Sequence, residues 1–167
     1  MFVVSTMDIT ADRYDRKIWV SDESGSRPFT AGPEDTAPRW SPDGATLAFL
    51  RATDGAKPQV AVMPVAGGEP RVVSEFACGV EAIEWSPDGT SILVVAVTYG
   101  DDWTELDDDE RGRKPRRITA VPYRFDNKGW THDRRRHLWL ADPDGRNPAR
   151  CLTPGPFDEE YPAWSPD

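Results

Sequence analysis

Cysteine and histidine are scarce in this chain, at two residues each out of 167. Cys78 and Cys151 lie far apart without metal-ligand spacing, and two isolated cysteines are more often buried or free thiols than a bridge. They favour a reducing, cytoplasmic setting. His132 and His137 are five positions apart and flank Arg134-Arg135-Arg136. No cysteine or carboxylate stands at zinc-site spacing from them, so no metal or other cofactor is expected, and His137, at the start of a strand, is read as structural. Also missing is any apolar run of about 18 residues, which removes a helical membrane span. The N-terminus lacks the basic-then-apolar layout of a secretory signal and reads like the middle of a β-strand, so Met1 need not be the parent's own beginning. Bases are outnumbered, 20 against 29 acids for a net charge of −9. An acidic surface argues against nucleic acid as the main partner.

What the chain has in quantity is punctuation: 16 prolines and 13 glycines spread between short apolar runs. That layout belongs to an all-β protein with many turns. A repeat organises it. Trp40-Ser41-Pro42-Asp43-Gly44 recurs as Trp85-Ser86-Pro87-Asp88-Gly89, and again as Trp164-Ser165-Pro166-Asp167, at intervals of 45 and 79 residues. Tryptophan suits a buried strand. Proline then presets φ, aspartate bonds nearby amides and glycine accepts positive φ, so each copy is a tight β-hairpin. This turn role accounts for Asp43, Gly44, Asp88 and Gly89 without a metal. Strand-like runs keep step: Ile18-Trp19-Val20, Val60-Ala61-Val62 and Leu138-Trp139-Leu140. Each leads to a small hydroxyl residue, Thr30, Ser74 or Thr153, with the next repeat tryptophan 10, 11 and 11 residues on.

A four-stranded repeat of about 40–45 residues matches one blade of a β-propeller. The expected division is an incomplete blade over 1–36 lacking its inner strand, a complete blade over 37–79, a blade over 80–160 with an insertion at 99–136, and the start of another at 161–167. Strands are expected at 2–6, 17–21, 27–30, 37–41, 46–52, 59–65, 69–74, 80–86, 91–98, 137–142 and 149–153. About three blades of a probable seven would leave open edges, so the chain reads as a fragment of one larger propeller domain.

The insertion begins acidic, from Asp101 to Glu110, then turns basic, from Arg111 to Arg117. Opposite charges in a solvated loop account for that segment. Residues 117–131 read as a strand, a turn at Asn127 and Gly129, and a short return strand. Tyr123 and Arg124 are the candidate substrate-binding residues, because an arginine beside an aromatic can hold a carboxylate or a peptide carbonyl. A plain surface pair on a hairpin accounts for them as well. Arg134-Arg135-Arg136 is read as a solvated loop or as an internal partner for the acids.

The repeated Trp-Ser-Pro-Asp-Gly resembles the propeller repeats of TolB-like proteins and of the prolyl oligopeptidase family. Phe2-Val3-Val4-Ser5 with Lys17-Ile18-Trp19-Val20 narrows the resemblance. So does the stretch Arg117-Ile118-Thr119 … Tyr123-Arg124-Phe125-Asp126-Asn127-Lys128-Gly129-Trp130 … His137-Leu138-Trp139-Leu140. Both are similar to the propeller of acylaminoacyl-peptidases and dipeptidyl aminopeptidases, with Asn127 standing where glycine is common. The resemblance implies a C-terminal α/β-hydrolase partner domain bearing a Ser-Asp-His triad, with the propeller gating the entry of short peptides. No Gly-x-Ser-x-Gly occurs in these residues, so no catalytic residue is assigned and the chain alone is expected to be inactive. A homo-oligomer of the parent is allowed. The alternative is a stand-alone TolB-like propeller acting as a protein-interaction module.

Overall fold

The computed structural model describes residues 1–53, 55–118, 121, 123–126 and 129–165. Three antiparallel strands open the chain: β1 (Phe2–Asp8), β2 (Arg13–Asp22) and β3 (Gly25–Pro28). An antiparallel meander follows, formed by β4 (Glu34–Trp40), β5 (Thr46–Ala52), β6 (Gln59–Pro64) and β7 (Arg71–Val72). After β8 (Val80–Trp85) and β9 (Ile92–Tyr99) the chain leaves the sheet. It forms two short helices, α1 (Asp101–Thr104) and α2 (Asp108–Arg113), and a hairpin, β10 (Arg124–Phe125) with β11 (Gly129–Trp130). It returns as β12 (Arg134–Ala141) and β13 (Arg150–Cys151), completing a four-stranded sheet in the order β13-β12-β9-β8. The architecture is that of a partial β-propeller built of antiparallel sheets.

The repeated hairpins follow from their side chains. In the first, the Ser41 hydroxyl donates to Asp43 Oδ1 at 2.5 Å, and the same oxygen accepts the Ala45 amide at 3.0 Å. In the second, Ser86 donates to Asp88 at 2.6 Å and Asp88 accepts the Thr90 amide at 3.0 Å. Gly44 and Gly89 take φ of +69° and +71°, which a β-carbon would oppose. The serine hydroxyls, helped by the backbone amides, hold both aspartate pKa values below the ordinary carboxylate range.

The recurring hydroxyl has an equally specific purpose. Thr30 Oγ1 accepts the Ile18 amide at 3.1 Å, Ser74 Oγ the Val60 amide at 2.8 Å, and Thr153 Oγ1 the Leu138 amide at 2.9 Å. Each hydroxyl takes over where the outer strand stops pairing, so the third strand keeps its donor satisfied. This is why β7 and β13 can be only two residues long where longer strands, 69–74 and 149–153, are expected.

Alternation along β5 and β6 buries the middle sheet on both faces. Leu47, Phe49, Ala61 and Met63 pack with Ile18 of the first sheet. Ala48, Leu50, Val60 and Val62 pack with Ile83, Trp85, Ile92 and Val94 of the third. Truncating Phe49 to alanine is expected to cost about 3–5 kcal/mol.

Four features depart from the sequence expectations. First, β2 and β4 share a parallel bridge at Arg16 and Glu34, which joins the first two groups into one seven-stranded sheet. Second, Trp40 is 42 % exposed whereas Trp85 is 8 % exposed. Trp85 lies on the neighbouring sheet and donates Nε1–H to the Arg39 carbonyl at 3.1 Å. Among the described residues β1 has no further strand on its free edge, so Trp40 lacks the equivalent cover. Third, residues 161–165 form no strand, and 166 and 167 lie outside the described residues. Fourth, the charged half of the insertion is helical, not a loop. Asp107 and Glu110 form a reciprocal capping box, the Glu110 amide donating to Asp107 at 2.8 Å and the Asp107 amide to Glu110 at 3.0 Å. Acids in the first turn and arginines in the last suit the helix dipole.

Candidate functional site

β9 runs from the Asp88 turn at one end of the third sheet to the insertion at the other. Its eight residues put about 25 Å between the two ends. Asp43, Gly44, Asp88 and Gly89 are therefore confined to the turns. Tyr123 and Arg124 sit with the insertion.

The insertion is organised by aromatic rings and guanidinium groups. The Arg116 guanidinium lies 4.7 Å from the ring centres of both Trp103 on α1 and Trp130 on β11. Arg124 covers Trp130 at 5.4 Å, and the Tyr123 ring lies 6.1 Å from the same indole. Beneath them Tyr99 carries Arg111 at 4.0 Å and Arg134 at 5.1 Å. Cation–π contacts of this kind contribute about 0.5–1 kcal/mol each at exposed sites and more when dry.

Both candidate residues are accessible. Tyr123 is 42 % exposed, and its carbonyl accepts the Thr131 amide at 3.1 Å, closing the hairpin. Among the described residues no ion pair involves Arg124. The turn expected at Asn127 falls on a residue outside those described.

A cleft of about 440 Å³ opens between the insertion and the third sheet, with Lys57, Cys78, Glu81, Tyr99, Phe125 and Trp130 among its lining residues. Tyr123 and Arg124 do not line it; their hairpin neighbours Phe125 and Trp130 do. Burial pushes the Cys78 thiol and the Tyr99 phenol upward, so both stay protonated at neutral pH. Cys78 and Cys151 are free thiols.

Arg134-Arg135-Arg136 belongs to a strand, not a loop. Arg134 Nε donates to Asp133 at 2.8 Å, and Arg136 pairs with Glu81 at 2.8 Å and with Glu160. His137 is buried, with Nδ1 3.3 Å from Glu159. Among the described residues no cluster of three or more histidine, cysteine or acidic side chains is arranged to hold a metal. Nor is any helix among them long and apolar enough to cross a membrane.

Sequence reasoning missed Trp103, Arg116, Trp130 and Asp133. Only the capping box at Asp107 and Glu110 carries a local signal that the segment is ordered.

No protein-family profile matches the chain. A curated relative, the uncharacterised peptidase YuxL of Bacillus subtilis, is 36 % identical over 99 % of the chain. The chain spans 26 % of that relative's length. Among solved structures, the acylaminoacyl peptidase of Pyrococcus horikoshii superposes with a TM-score of 0.68 at 24 % identity, over 87 % of the chain and 22 % of that protein. The β-propeller domain of the Trilobed protease from Pyrococcus furiosus does so with a TM-score of 0.52 at 17 % identity, over 90 % of the chain and 37 % of that domain. At these identities the likeness to solved structures is one of fold.

Proposed function

We propose, for a chain that is a β-propeller portion of the prolyl oligopeptidase type, a non-catalytic role in a cytoplasmic serine peptidase. It walls the approach to a hydrolase domain and admits short peptides. The observation that supports this reading is the likeness to a peptidase along 99 % of the chain. The selection is steric. A folded domain of 100 residues has a radius of gyration of about 13 Å, too wide for an opening that passes a single extended strand. The exposed Tyr123 and Arg124 would then meet peptide carbonyls or carboxylates at the rim of the insertion cleft.

The test is hydrolysis by the full-length protein that contains this chain, with peptides of graded length set against a folded protein of the same sequence content. The reading expects cleavage of the short peptides, no cleavage of the folded protein, and none by residues 1–167 alone. Equal cleavage of both would refute the gate. A free-standing TolB-like interaction propeller is the competing reading. It requires that no hydrolase sequence with a Gly-x-Ser-x-Gly elbow follow the chain.

A further inference from the structure

The insertion hangs from one carboxylate. Asp133 is fully buried, and it is the residue at which the insertion rejoins the sheet. Its Oδ1 accepts Arg134 Nε at 2.8 Å; its Oδ2 accepts Arg116 Nη2 at 3.1 Å and Arg134 Nη2 at 3.3 Å. Its carbonyl accepts the Gly100 amide at 3.0 Å, which draws the two ends of the insertion together. The Arg116 side chain is only 13 % exposed and is held between Trp103 and Trp130. Trp130 in turn supports Tyr123 and Arg124. The same carboxylate fixes Arg134, which covers Tyr99 in the cleft wall.

We propose that Asp133 is the positioning residue of this site: through Arg116 it sets where Trp130, and with it Tyr123 and Arg124, stand relative to the cleft. Arg116 and Arg134 converge on one buried point, and only the shared negative charge makes that convergence favourable. With a neutral side chain at 133, the two cations face each other across a site that has lost its counter-charge. Arg116 would then swing to solvent, withdrawing the middle layer from the Trp103–Trp130 stack. The hairpin would lose its seat while the hydrolytic centre, which this chain does not contain, would be untouched.

The inference rests on the peptide reading above, and its test separates the two. In the full-length protein, Asp133→Asn and Arg116→Gln are compared with wild type for kcat, KM and tryptic cleavage within residues 105–128. Arg116→Gln leaves the Asp133–Arg134 pair intact, so it spares the sheet if Asp133→Asn impairs folding. Both variants should raise KM for short peptides about ten-fold with kcat within about two-fold, and should speed cleavage in the insertion about ten-fold. Combining either variant with Arg124→Ala should raise KM no further than Arg124→Ala alone, because one residue acts through the other. Multiplicative effects, or an unchanged KM beside a loosened insertion, would overturn the positioning role. Should the wild-type protein cleave no peptide, the peptide reading fails by itself. Tryptic cleavage still decides whether Asp133 holds the insertion: faster cutting in both variants supports the anchor, and unchanged cutting refutes it.

Discussion

Arg51→Met should loosen the β4–β5 ladder far beyond what an ordinary surface change does. Asp35 is fully buried and accepts two bonds from one guanidinium, Arg51 Nε at 2.7 Å and Nη2 at 2.8 Å. The two residues are direct cross-strand partners. Gly32 closes over them so tightly that a β-carbon there would lie 2.7 Å from Asp35 Oδ2 and 2.8 Å from Arg51 Nη2. Methionine keeps the bulk of Arg51 and removes its charge, stranding a carboxylate in a dry site. Breaking a buried pair in this way costs about 3–5 kcal/mol. At about 1.36 kcal/mol per decade, protected amides of β4 and β5 should exchange roughly a hundred- to several-thousand-fold faster. Native-state hydrogen exchange on the full-length protein reads this directly at Leu50 and Ala52. The double variant Asp35→Leu with Arg51→Met should recover most of the loss, since an apolar pair of similar volume replaces a buried ion pair at little cost. Exchange in the single variant within about three-fold of wild type, as for an exposed pair, would refute the reasoning. So would a double variant no better than the single.

Ser74→Ala leaves the Val60 amide without its acceptor and should cost about 1–3 kcal/mol, with faster exchange at Val60 and little change at Leu138, where Thr153 does the same work. If the full-length protein cleaves short peptides as proposed, Arg124→Ala should raise KM for them about ten-fold, the worth of one charged hydrogen bond, and unchanged kinetics would assign Arg124 to structure. Acid should release the insertion late. Burial pushes the Asp133 pKa up, but hydrogen bonds and charge from Arg134 and Arg116 outweigh it and leave it below the ordinary value. A folded pKa below the unfolded one means this stabilisation is complete above about pH 3.9 and fades as pH falls through the lower folded value. Tryptophan fluorescence during acid titration should therefore report release of Trp103 and Trp130 below about pH 4, and release well above that would contradict the assignment.

How far the sequence reveals this protein depends on the range of each interaction. The Ser-Pro-Asp-Gly hairpins are legible because every bond in them spans five residues or fewer, so the motif carries its own explanation. The hydroxyls at 30, 74 and 153 are visible as a period, but their reason lies 12 to 15 residues upstream, on another strand. Trp40 and Trp85 sit in identical motifs and differ in exposure because of what lies beside the sheet, which no local pattern records. The insertion is the least legible part. Arg116 and Asp133 meet across 17 residues with no repeat to announce them, and the ring-and-guanidinium stack has no spacing rule. The helix at Asp108–Arg113 was within reach, since an aspartate followed three residues later by glutamate, then by arginines, is a start-and-stop signature that a count of charges overlooks.

The two-residue outer strands carry a consequence for behaviour in a crowded solution. A stray strand arriving at the perimeter of the second or third sheet finds only a stub of ladder before the chain turns away, and past the stub the Val60 and Leu138 amides of the strands behind it are already taken by hydroxyls. Few main-chain bonds are on offer there, too few to template sheet growth. At these two outer strands brevity guards against fibril-like association, and the exposed Arg71 and Arg150 add a charge to each stub.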